Sequence, residues 1–572
     1  MLTPLANAES TMRPNLRPNL RRGADLLLET LHSEGVEYIF GNPGTTELPL
    51  MDALVEKPEL HYVLALQEAS AVAMADGYAQ AAGRPGFLNL HTAGGLGNGM
   101  GNLLNASVSQ TPLVVTAGQQ DSRHSLTDPL LYGDLVRIAA PAMKWAHEVT
   151  NVSQLPVLVR RAFNDARAAP TGPVFLSLPM DVMEAMTDIP VTAHSVVDRA
   201  AVAGSLDRLA EQFAAVAPGR LLIIAGDEIH ASNAAAEVVT VAELLGAPVY
   251  GSSWPARIPY PTSHPLWGGN LPSNADSIAH VLSDYDAVFA LGGKSLITVL
   301  YTETSAVPPG CAVYQMSSDV RDLGRTYPTR LSVVGDLKAS LGALALILPP
   351  ALGDSAAARA NLVQAAATRR AQTRRQHAEA AAAEFDAPII TPQVAAREAA
   401  RAIGPDIAIV DEAIATSLHL RAFLDSPWPR QYSFLRGGCL GWGMPAAIGC
   451  SLGLGREPVI SLVGDGAALY SPQALWTAAH ERLPVTFVVM NNREYNVLKN
   501  FMRAQPAYAS VRRNRFIAMD LVDPAIDYQS LAHSMGVPAL RIERAADIAP
   551  TIEAGIASRL PNLIEIIISA GP

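Results

Sequence analysis

Val459-Ile-Ser-Leu-Val463 is a short apolar run that ends in Gly464-Asp465-Gly466. A run of this length, bounded by glycine, is typical of a fully buried strand. A second run, Val485-Thr-Phe-Val-Val-Met490, follows after a stretch of helical character and ends in Asn491-Asn492. Strands that alternate with helices pair in parallel, so Asp465 and Asn492 are predicted to lie at the carboxyl ends of neighbouring strands.

These two polar residues predict a ligand site at the edge of the sheet. An Asp and an Asn in this position can hold a hard, oxygen-loving cation, which in turn can hold a diphosphate against a helix N-terminus. A further carboxylate, Glu68, ends the apolar run Leu64-Ala-Leu-Gln-Glu68 far upstream. The structural alternatives are a strand-to-turn Asp, a helix-capping Asn, and a Glu that stabilises the first turn of the next helix.

The alternation of apolar runs and helical stretches extends along most of the chain. Examples are the runs at 36–40, 113–116, 220–225 and 287–291. At about 150–200 residues per domain, a chain of 572 residues is expected to have three domains. The sequence therefore predicts three doubly wound α/β domains with parallel sheets. The predicted boundaries are a flexible tail at 1–22, α/β domains at 23–190, 200–350 and 388–572, and a linker helix at 351–387.

Composition excludes several classes of protein. Apolar residues make up 49% and charged residues 17% of the chain, which is typical of a well-buried globular protein. The net charge of −11 argues against a nucleic-acid or anionic-membrane surface. Cys311, Cys439 and Cys450 have neither metal-ligand nor disulfide spacing, so a reducing cytoplasm is the expected location.

The Gly-Asp-Gly…Asn-Asn pattern, with 27 residues from Asp465 to Asn492, resembles the signature of thiamine diphosphate enzymes. Further segments are similar to those of the benzoylformate decarboxylases. They are Phe40-Gly-Asn-Pro-Gly-Thr45, Leu66-Gln-Glu68, Ala75-Asp-Gly-Tyr-Ala79, Asn89-Leu-His91, Thr116-Ala-Gly-Gln-Gln120, Met444-Pro-Ala-Ala-Ile-Gly449 and Leu475-Trp-Thr-Ala-Ala479. The resemblance covers nearly the whole chain after about residue 20 and is weakest between roughly 190 and 388.

The resemblance implies thiamine diphosphate and Mg²⁺ as cofactors. The implied metal ligands are the side chains of Asp465 and Asn492 and the backbone carbonyl of Glu494. Glu68 matches the family glutamate that activates the cofactor through its pyrimidine ring, and Leu440 matches the apolar wedge that bends the cofactor. The remaining implied cofactor-binding residues are Glu412, Gly438, Gly464, Gly466, Ala467 and Val497.

The resemblance also implies residues at the substrate. His91 matches a histidine that moves protons, and Thr45 occupies the place of a serine that contacts the substrate carboxylate. The implied pocket consists of Thr45, His91, Val299, Val497, Leu498 and Phe501. Such walls suit an aromatic or branched aliphatic 2-oxo acid.

This chain departs from the family pattern in two places. Val299 stands where the decarboxylases carry a second histidine, and no histidine occurs from 281 to 376. His124 is a speculative substitute. After Glu412 the chain has Ala413-Ile-Ala415 where the family carries Ser and Thr for the phosphates, so Thr416 and Ser417 are possible replacements.

The resulting expectation is a decarboxylase of a hydrophobic or aromatic 2-oxo acid, such as benzoylformate, that releases an aldehyde and CO₂. The nearest alternative is a carboligase of the acetolactate synthase or benzaldehyde lyase kind. A nicotinamide- or flavin-linked oxidoreductase and a binding module without catalysis are alternatives from other classes. The resemblance further implies a homodimer or homotetramer with active sites between subunits, with a small 2-oxo acid or aldehyde as the only other partner.

Overall fold

Three α/β domains follow one another in the computed structural model, which describes residues 20–570. Each domain contains a six-stranded sheet in which every neighbouring pair of strands is parallel. Each sheet lies within one of the three predicted domain ranges, and the predicted fold class is confirmed.

The first sheet has the strand order β3-β2-β4-β5-β7-β6, and β1 pairs antiparallel with β8 beside it. The strands of the first domain are β1 Arg21–Arg22, β2 Tyr38–Gly41, β3 His61–Leu64, β4 Gly86–His91, β5 Leu113–Gln119, β6 Ala146–Glu148, β7 Val174–Pro179 and β8 Met186–Thr187. Its helices are α1 Gly23–Ser33, α2 Leu48–Leu54, α3 Glu68–Ala82, α4 Thr92–Val108, α5 Leu135–Ala139, α6 Leu155–Arg167 and α7 Met180–Glu184.

The predicted tail at 1–22 is corrected at its end. Residues 1–19 lie outside the described part of the chain. Arg21 and Arg22 are not part of a tail, because they form β1 and because Arg21 donates a hydrogen bond to the carbonyl of Ile189. The start of the chain is therefore tied to the end of the first domain.

The central sheet has the order β11-β10-β9-β12-β13-β14. Its strands are β9 Leu221–Ala225, β10 Val249–Gly251, β11 Trp267–Asn270, β12 Ala287–Leu291, β13 Ala312–Ser317 and β14 Leu331–Val334. Its helices are α8 Leu206–Ala215, α9 Glu228–Ala231, α10 Ala235–Leu245, α11 Ala275–Leu282 and α12 Leu337–Leu352.

The segment predicted as a linker helix forms α13 Ser355–Ala383, which packs on the central domain. Arg359 is fully buried on α13 and donates hydrogen bonds to the carbonyls of Leu245, Phe213 and Val216. These carbonyls lie at the C-terminal ends of α10 and α8, where a positive charge is favourable. Among residues 20–570 no single helix is both long and apolar enough to cross a bilayer. α12 and α13 meet this criterion of length and composition only as a pair, and the pair is bent by 117°.

The third sheet has the order β16-β15-β17-β18-β20-β19. Its strands are β15 Ala408–Glu412, β16 Tyr432–Phe434, β17 Val459–Gly464, β18 Val485–Asn491, β19 Ala539–Ile542 and β20 Asn562–Ile567. Its helices are α14 Pro392–Ile403, α15 Ser417–Phe423, α16 Gly443–Gly453, α17 Asp465–Ala468, α18 Ala474–Glu481, α19 Asn496–Arg503, α20 Ala509–Arg512, α21 Tyr528–Ser534 and α22 Ala545–Ala557.

Helices α3 and α16 join the first and third domains at very short range. A Cβ at Gly77 would overlap the carbonyl of Ala446, and a Cβ at Gly449 would overlap the carbonyl of Met74. Glycine is required at both positions because the two backbones are in contact. Since α3 begins at Glu68 and α16 follows the loop that carries Leu440, this packing fixes the position of both residues.

Candidate active site

The strands β17 and β18 place Asp465 and Asn492 side by side, as the sequence predicts. Gly464 is paired with Met490, and Asp465 and Asn492 each follow directly after the end of their strand. The backbone N–H of Arg493 donates to Oδ2 of Asp465 at 2.6 Å, and that of Gly466 donates to Oδ1 at 2.8 Å. These two backbone N–H groups therefore hold the Asp465 carboxylate beside the turn that follows Asn492.

The electrostatics of Asp465 suit a bound cation. Its side chain is buried, and burial raises its pKa to about 6. Among residues 20–570 no Lys, Arg or His forms an ion pair with it. A buried carboxylate without a cationic partner is unfavourable unless a metal or a proton balances it, so the oxygen donors at this edge fit Mg²⁺.

The other two predicted metal ligands lie in the same turn. The Asn492 side-chain oxygen accepts a hydrogen bond from the backbone N–H of Glu494 at 3.1 Å. Lys499 pairs with Oε2 of the Glu494 carboxylate, and the Glu494 backbone carbonyl is the predicted ligand. The metal-binding roles of Asp465, Asn492 and Glu494 remain predictions.

The residues after Asp465 open the short helix α17. At Gly466 a Cβ would overlap the ring of Tyr495, so the chain itself requires glycine there, whereas the nearest atom to a Cβ at Gly464 is 3.7 Å away. Ala467 is buried in the first turn of α17. This helix start leaves room at Gly464 for a diphosphate to approach the backbone.

The loop at 437–441, which carries Leu440, is held by buried hydrogen bonds. Asn105 donates to the carbonyl of Cys439 at 2.7 Å and accepts from its N–H at 3.0 Å. Gly438 is exposed with a φ of +79°, and Gly441 has a φ of +93°, so both need glycine. Leu440 is partly buried and packs against the core shared by the first and third domains.

Glu412 has different partners from those the sequence predicts. Its carboxylate accepts hydrogen bonds from the backbone N–H groups of Gly441, Trp442 and Gly443 at 2.7, 3.3 and 2.6 Å. It is fully buried, and burial raises its pKa to about 7. Both oxygens are used within the protein, so in this structure Glu412 holds the loop of Leu440 and is not turned towards a ligand.

The predicted phosphate loop after Glu412 provides one free hydroxyl and not two. Thr416 lines the large cavity described below. Ser417 instead donates its hydroxyl hydrogen to Asp411 at 2.8 Å and is buried. The role of either residue at a phosphate remains a prediction.

Glu68 lies at the first position of α3, with Gln67 as the N-cap residue. Its carboxylate is only 8% exposed and accepts hydrogen bonds from Asn42 at 3.4 Å and from Asn98 at 3.1 Å. The structural alternative, a Glu in the first turn of a helix, thus holds for its position. Both hydrogen bonds to the carboxylate nevertheless come from side chains that lie outside α3.

His91 ends β4, and its ring contacts a carboxylate that sequence reasoning missed. Nδ1 of His91 is 2.8 Å from Oε2 of Glu47 and 3.1 Å from the hydroxyl of Thr46. Glu47 is 2% exposed, and its two oxygens also accept from the N–H groups of Gly44 and Gly118. The hydrogen bond to Glu47 raises the pKa of His91.

Thr45, the predicted substrate contact, begins the 3₁₀ turn that ends at Glu47. Thr45 is exposed, whereas Thr46 is buried and donates to Oε1 of Glu47 at 2.8 Å. The sequence shows Thr46-Glu47 directly before the apolar stretch Leu48-Pro-Leu50, but the burial that marks Glu47 out is visible only in the structure.

A cavity of about 600 Å³ lies between the central domain, α13 and the third domain. Val497 and Phe501 line it from one face of α19, together with Asn492 at the end of β18. Leu498 is 45% exposed in the single chain and does not line this cavity, so its place in the substrate pocket stays a prediction.

Val299 also lies outside the lining, but one hydrogen bond away from it. It is 44% exposed, and its N–H donates to the carbonyl of Ser273, which does line the cavity. His124 is exposed in a 3₁₀ turn of the first domain and does not line the cavity. The histidines in the lining are His377 and His419, which the sequence analysis did not consider.

The predicted site is divided in a single chain. Among the described residues, those that line the large cavity all come from the central and third domains and from α13. Glu68, His91 and Thr45 lie on the first domain, outside this lining, and Asp465 borders a separate cavity of about 90 Å³.

Comparison with known proteins identifies the same three-domain organisation. Models of the thiamine pyrophosphate enzyme match residues 21–139 (N-terminal TPP binding domain), 206–344 (central domain) and 415–566 (C-terminal TPP binding domain). Benzoylformate decarboxylase of Pseudomonas aeruginosa is 31% identical over 94% of this chain and 97% of its own length. The acetolactate synthase large subunit of Lactococcus lactis is 26% identical over 96% of this chain and 92% of its own.

The solved structures lead to the same group. The thiamine diphosphate-dependent 4-hydroxybenzoylformate decarboxylase of Rhodococcus jostii superposes with a TM-score of 0.84 at 28% identity, over 96% of this chain and 99% of that chain. Benzoylformate decarboxylase from Polynucleobacter necessarius superposes with a TM-score of 0.83 at 27% identity.

Proposed function

Because the chain belongs to the thiamine pyrophosphate enzyme family and is a thiamine diphosphate-dependent carbon–carbon lyase, we propose that it decarboxylates a hydrophobic or aromatic 2-oxo acid such as benzoylformate, releasing an aldehyde and CO₂. The observation that carries the substrate class is the cavity in which Val497 and Phe501 stand beside Asn492. An apolar, aromatic wall next to a cofactor position favours an aryl or branched alkyl group.

Mg²⁺ is proposed as the metal, held by Asp465, the Asn492 side-chain oxygen and the Glu494 carbonyl. The buried, unpaired carboxylate of Asp465 and the all-oxygen donor set support it. Bound thiamine diphosphate supplies an electron sink for the electron pair that is left when CO₂ departs. The protein's part is to position and to move protons.

Three of the chain's residues have distinct proposed parts in the reaction. Glu68, presented by Asn42 and Asn98, holds a proton at the end of the site that receives the pyrimidine ring. His91, kept protonated to higher pH by Glu47, exchanges a proton near the reacting carbon. Leu440 presses on the cofactor from a loop that Glu412 and Asn105 hold in place.

The proposed assembly is a homodimer or homotetramer in which the first domain of one subunit completes the site of another. The separation of Glu68 and His91 from the cavity that contains Asn492 supports this arrangement. A second copy of the chain would bring the missing carboxylate and histidine to the cavity.

Carboligation is the second candidate, and the position of Val299 favours it. A valine replaces the histidine that takes part in protonation in the resembled family, and acetolactate synthases are among the relatives. A general acid contributes roughly 10²–10⁴-fold to a rate. Without this acid, protonation after the loss of CO₂ is slower, and addition to an aldehyde can compete with it.

The test measures CO₂ from benzoylformate and acyloin from benzaldehyde in the presence of thiamine diphosphate and Mg²⁺. We expect Phe501→Ala to lower kcat/KM for benzoylformate about tenfold, because an aromatic contact of about 1.4 kcal/mol is lost. Met502→Ala, on the same helix but outside the lining, is the control and should leave kcat/KM unchanged. If no aryl or alkyl 2-oxo acid yields CO₂, the proposal is wrong.

A further inference from the structure

We propose that the wall that α13 contributes to the large cavity binds a second anionic group, so that the preferred substrate is a 2-oxo acid with a second carboxylate at its distal end. This inference rests on the proposed function and narrows its substrate class. The basic residues of α13, which the resemblance to known enzymes does not involve, are the ones that would recognise the distal anion.

The charged side chains in the wall of the cavity are all basic. They are three arginines, and no Asp or Glu from residues 20–570 lines the cavity. This is a strong local bias in a chain whose net charge is −11. A concave surface of one sign concentrates ligands of the opposite sign, so the cavity favours anions.

Three of the lining residues form a row on α13. Arg370, Arg374 and His377 are spaced by four and three positions, so they share one face of the helix. Arg370 is oriented by hydrogen bonds to the carbonyls of Trp267, at 3.1 Å, and Thr262. The row is therefore a positioned part of the wall.

The row also has unused hydrogen-bonding capacity. Nε of Arg370 and Nδ1 of His377 are buried and have no hydrogen-bond partner among the described residues. A buried, unsatisfied polar group costs about 1–3 kcal/mol, which an anionic ligand would offset. Arg374 has a single acidic neighbour, Asp425, at 2.6 Å, and that carboxylate is half exposed.

The same cavity contains the proposed substrate wall and this row. Val497, Phe501, Trp254, Trp267 and Leu271 contribute apolar surface to it, and Arg370 donates a hydrogen bond to the carbonyl of Trp267 within the same wall. Its volume of about 600 Å³ falls within the roughly 300–1,000 Å³ of pockets that hold drug-sized ligands. A 2-oxo acid with an apolar middle and a second carboxylate matches a cavity that combines apolar and basic walls, since arginine binds carboxylates through charge-assisted hydrogen bonds.

The kinetic test compares 4-carboxybenzoylformate with the neutral 4-carbamoylbenzoylformate. We expect the wild-type enzyme to prefer the acid about tenfold in kcat/KM, and Arg374→Gln to remove this preference. Arg375→Gln is the matched control, because Arg375 is the next residue on the helix, is exposed and does not line the cavity; it should keep the preference. Asp425→Asn frees Arg374 from its acidic neighbour and should increase the preference.

A binding measurement separates this inference from the proposed function. Trp254 and Trp267 line the cavity, so their fluorescence in the cofactor-free protein should report binding of terephthalate. We expect terephthalate to bind about tenfold more tightly than 4-carbamoylbenzoate, and Arg374→Gln but not Arg375→Gln to abolish the difference.

The outcomes distinguish three cases. Equal binding of the two ligands, or an unchanged acid preference in Arg374→Gln, overturns the inference even if benzoylformate is decarboxylated. Absence of CO₂ from all substrates, with terephthalate bound through Arg374, overturns the proposed function and leaves the anion site. If inorganic phosphate displaces terephthalate completely while the acid and amide substrates react equally, the row binds a separate small anion and the substrate inference is wrong.

Discussion

A histidine that moves protons near neutral pH needs a partner that sets its protonation state, and in this chain the partner is Glu47. Nδ1 of His91 is 2.8 Å from the Glu47 carboxylate, which is buried and held by the N–H groups of Gly44 and Gly118. A fixed, desolvated carboxylate favours the charged imidazole, which is why the pKa of His91 is raised.

Glu47→Gln should therefore lower the pKa of His91 and weaken the fold in a pH-dependent way. A raised histidine pKa stabilises the folded state fully below the unfolded value of about 6.5, and this stabilisation is lost as pH rises through the folded pKa. We expect the difference in free energy of unfolding between wild type and Glu47→Gln to be largest below about pH 6.5 and to shrink above it. Urea unfolding at a series of pH values measures the difference.

His91→Gln provides the control for this prediction. In the His91→Gln background, Glu47→Gln should cost a free energy that no longer varies with pH, since the remaining contacts of residue 47, with Thr46, Gly44 and Gly118, do not involve a histidine. A pH dependence that persists without His91 would contradict the assigned pair.

At this scale, single residues could be predicted where the resemblance supplied a position, and their partners could not. Glu68, His91, Asp465 and Asn492 lie in well-defined positions at element ends. Glu47 was missed because a buried carboxylate in a three-residue turn has no periodic signal in sequence. Glu412 was predicted as a cofactor contact from the resemblance, whereas its three backbone donors, at 441–443, become visible only in the folded chain.

At the scale of elements, α4 connects two of the segments that the sequence singled out. Asn98, Asn102 and Asn105 are spaced by four and three positions, so they lie on one face of the helix. Asn98 donates to Glu68, Asn102 donates to the carbonyls of Ala69 and Gly441, and Asn105 binds Cys439. The helix thereby ties the start of α3 to the loop that carries Leu440.

Asn105→Ala should loosen this loop without unfolding the protein. It removes two hydrogen bonds to Cys439, each worth about 0.5–1.5 kcal/mol, and leaves a buried N–H and carbonyl unpaired. We expect faster hydrogen exchange at the Cys439 amide and a fall in kcat of about tenfold if Leu440 must be held rigidly. Leu104→Ala, at the exposed neighbouring position on α4, should change neither quantity. Unchanged exchange at Cys439 in Asn105→Ala would contradict the role given to this helix face.

The strands that position the site could largely be predicted, because buried parallel strands leave continuous apolar runs in sequence. β17 and β18 each end one residue after the predicted run. β6 and β16, at sheet edges and only three residues long, were not predicted because so short a strand carries no pattern.

At the scale of the whole molecule, the decisive feature is the division of the site. The cavity with Asn492 belongs to the central and third domains, while Glu68 and His91 lie on the first domain, outside its lining. Sequence order gave no information on this separation, because it depends on how the three domains pack. Whether Glu68 acts with Asp465 of its own chain or of another chain can be tested only in the assembled oligomer.

Mixing two inactive variants provides that test. Glu68→Gln should inactivate each site to which its chain contributes the first domain. Asp465→Asn should inactivate each site to which its chain contributes the third domain. If each site combines residue 68 of one chain with residue 465 of another, half of randomly mixed dimers contain both variants, and each of these has one intact site of two. Unfolding and refolding an equimolar mixture should then restore about a quarter of wild-type activity, as a shared site in a twofold dimer requires.

A double variant that carries both changes in one chain, mixed with the wild type, leaves no site intact in the mixed dimers and is the control. If the two single variants stay inactive together although they form mixed dimers, both residues serve the same chain's site, and the proposed arrangement between subunits is wrong.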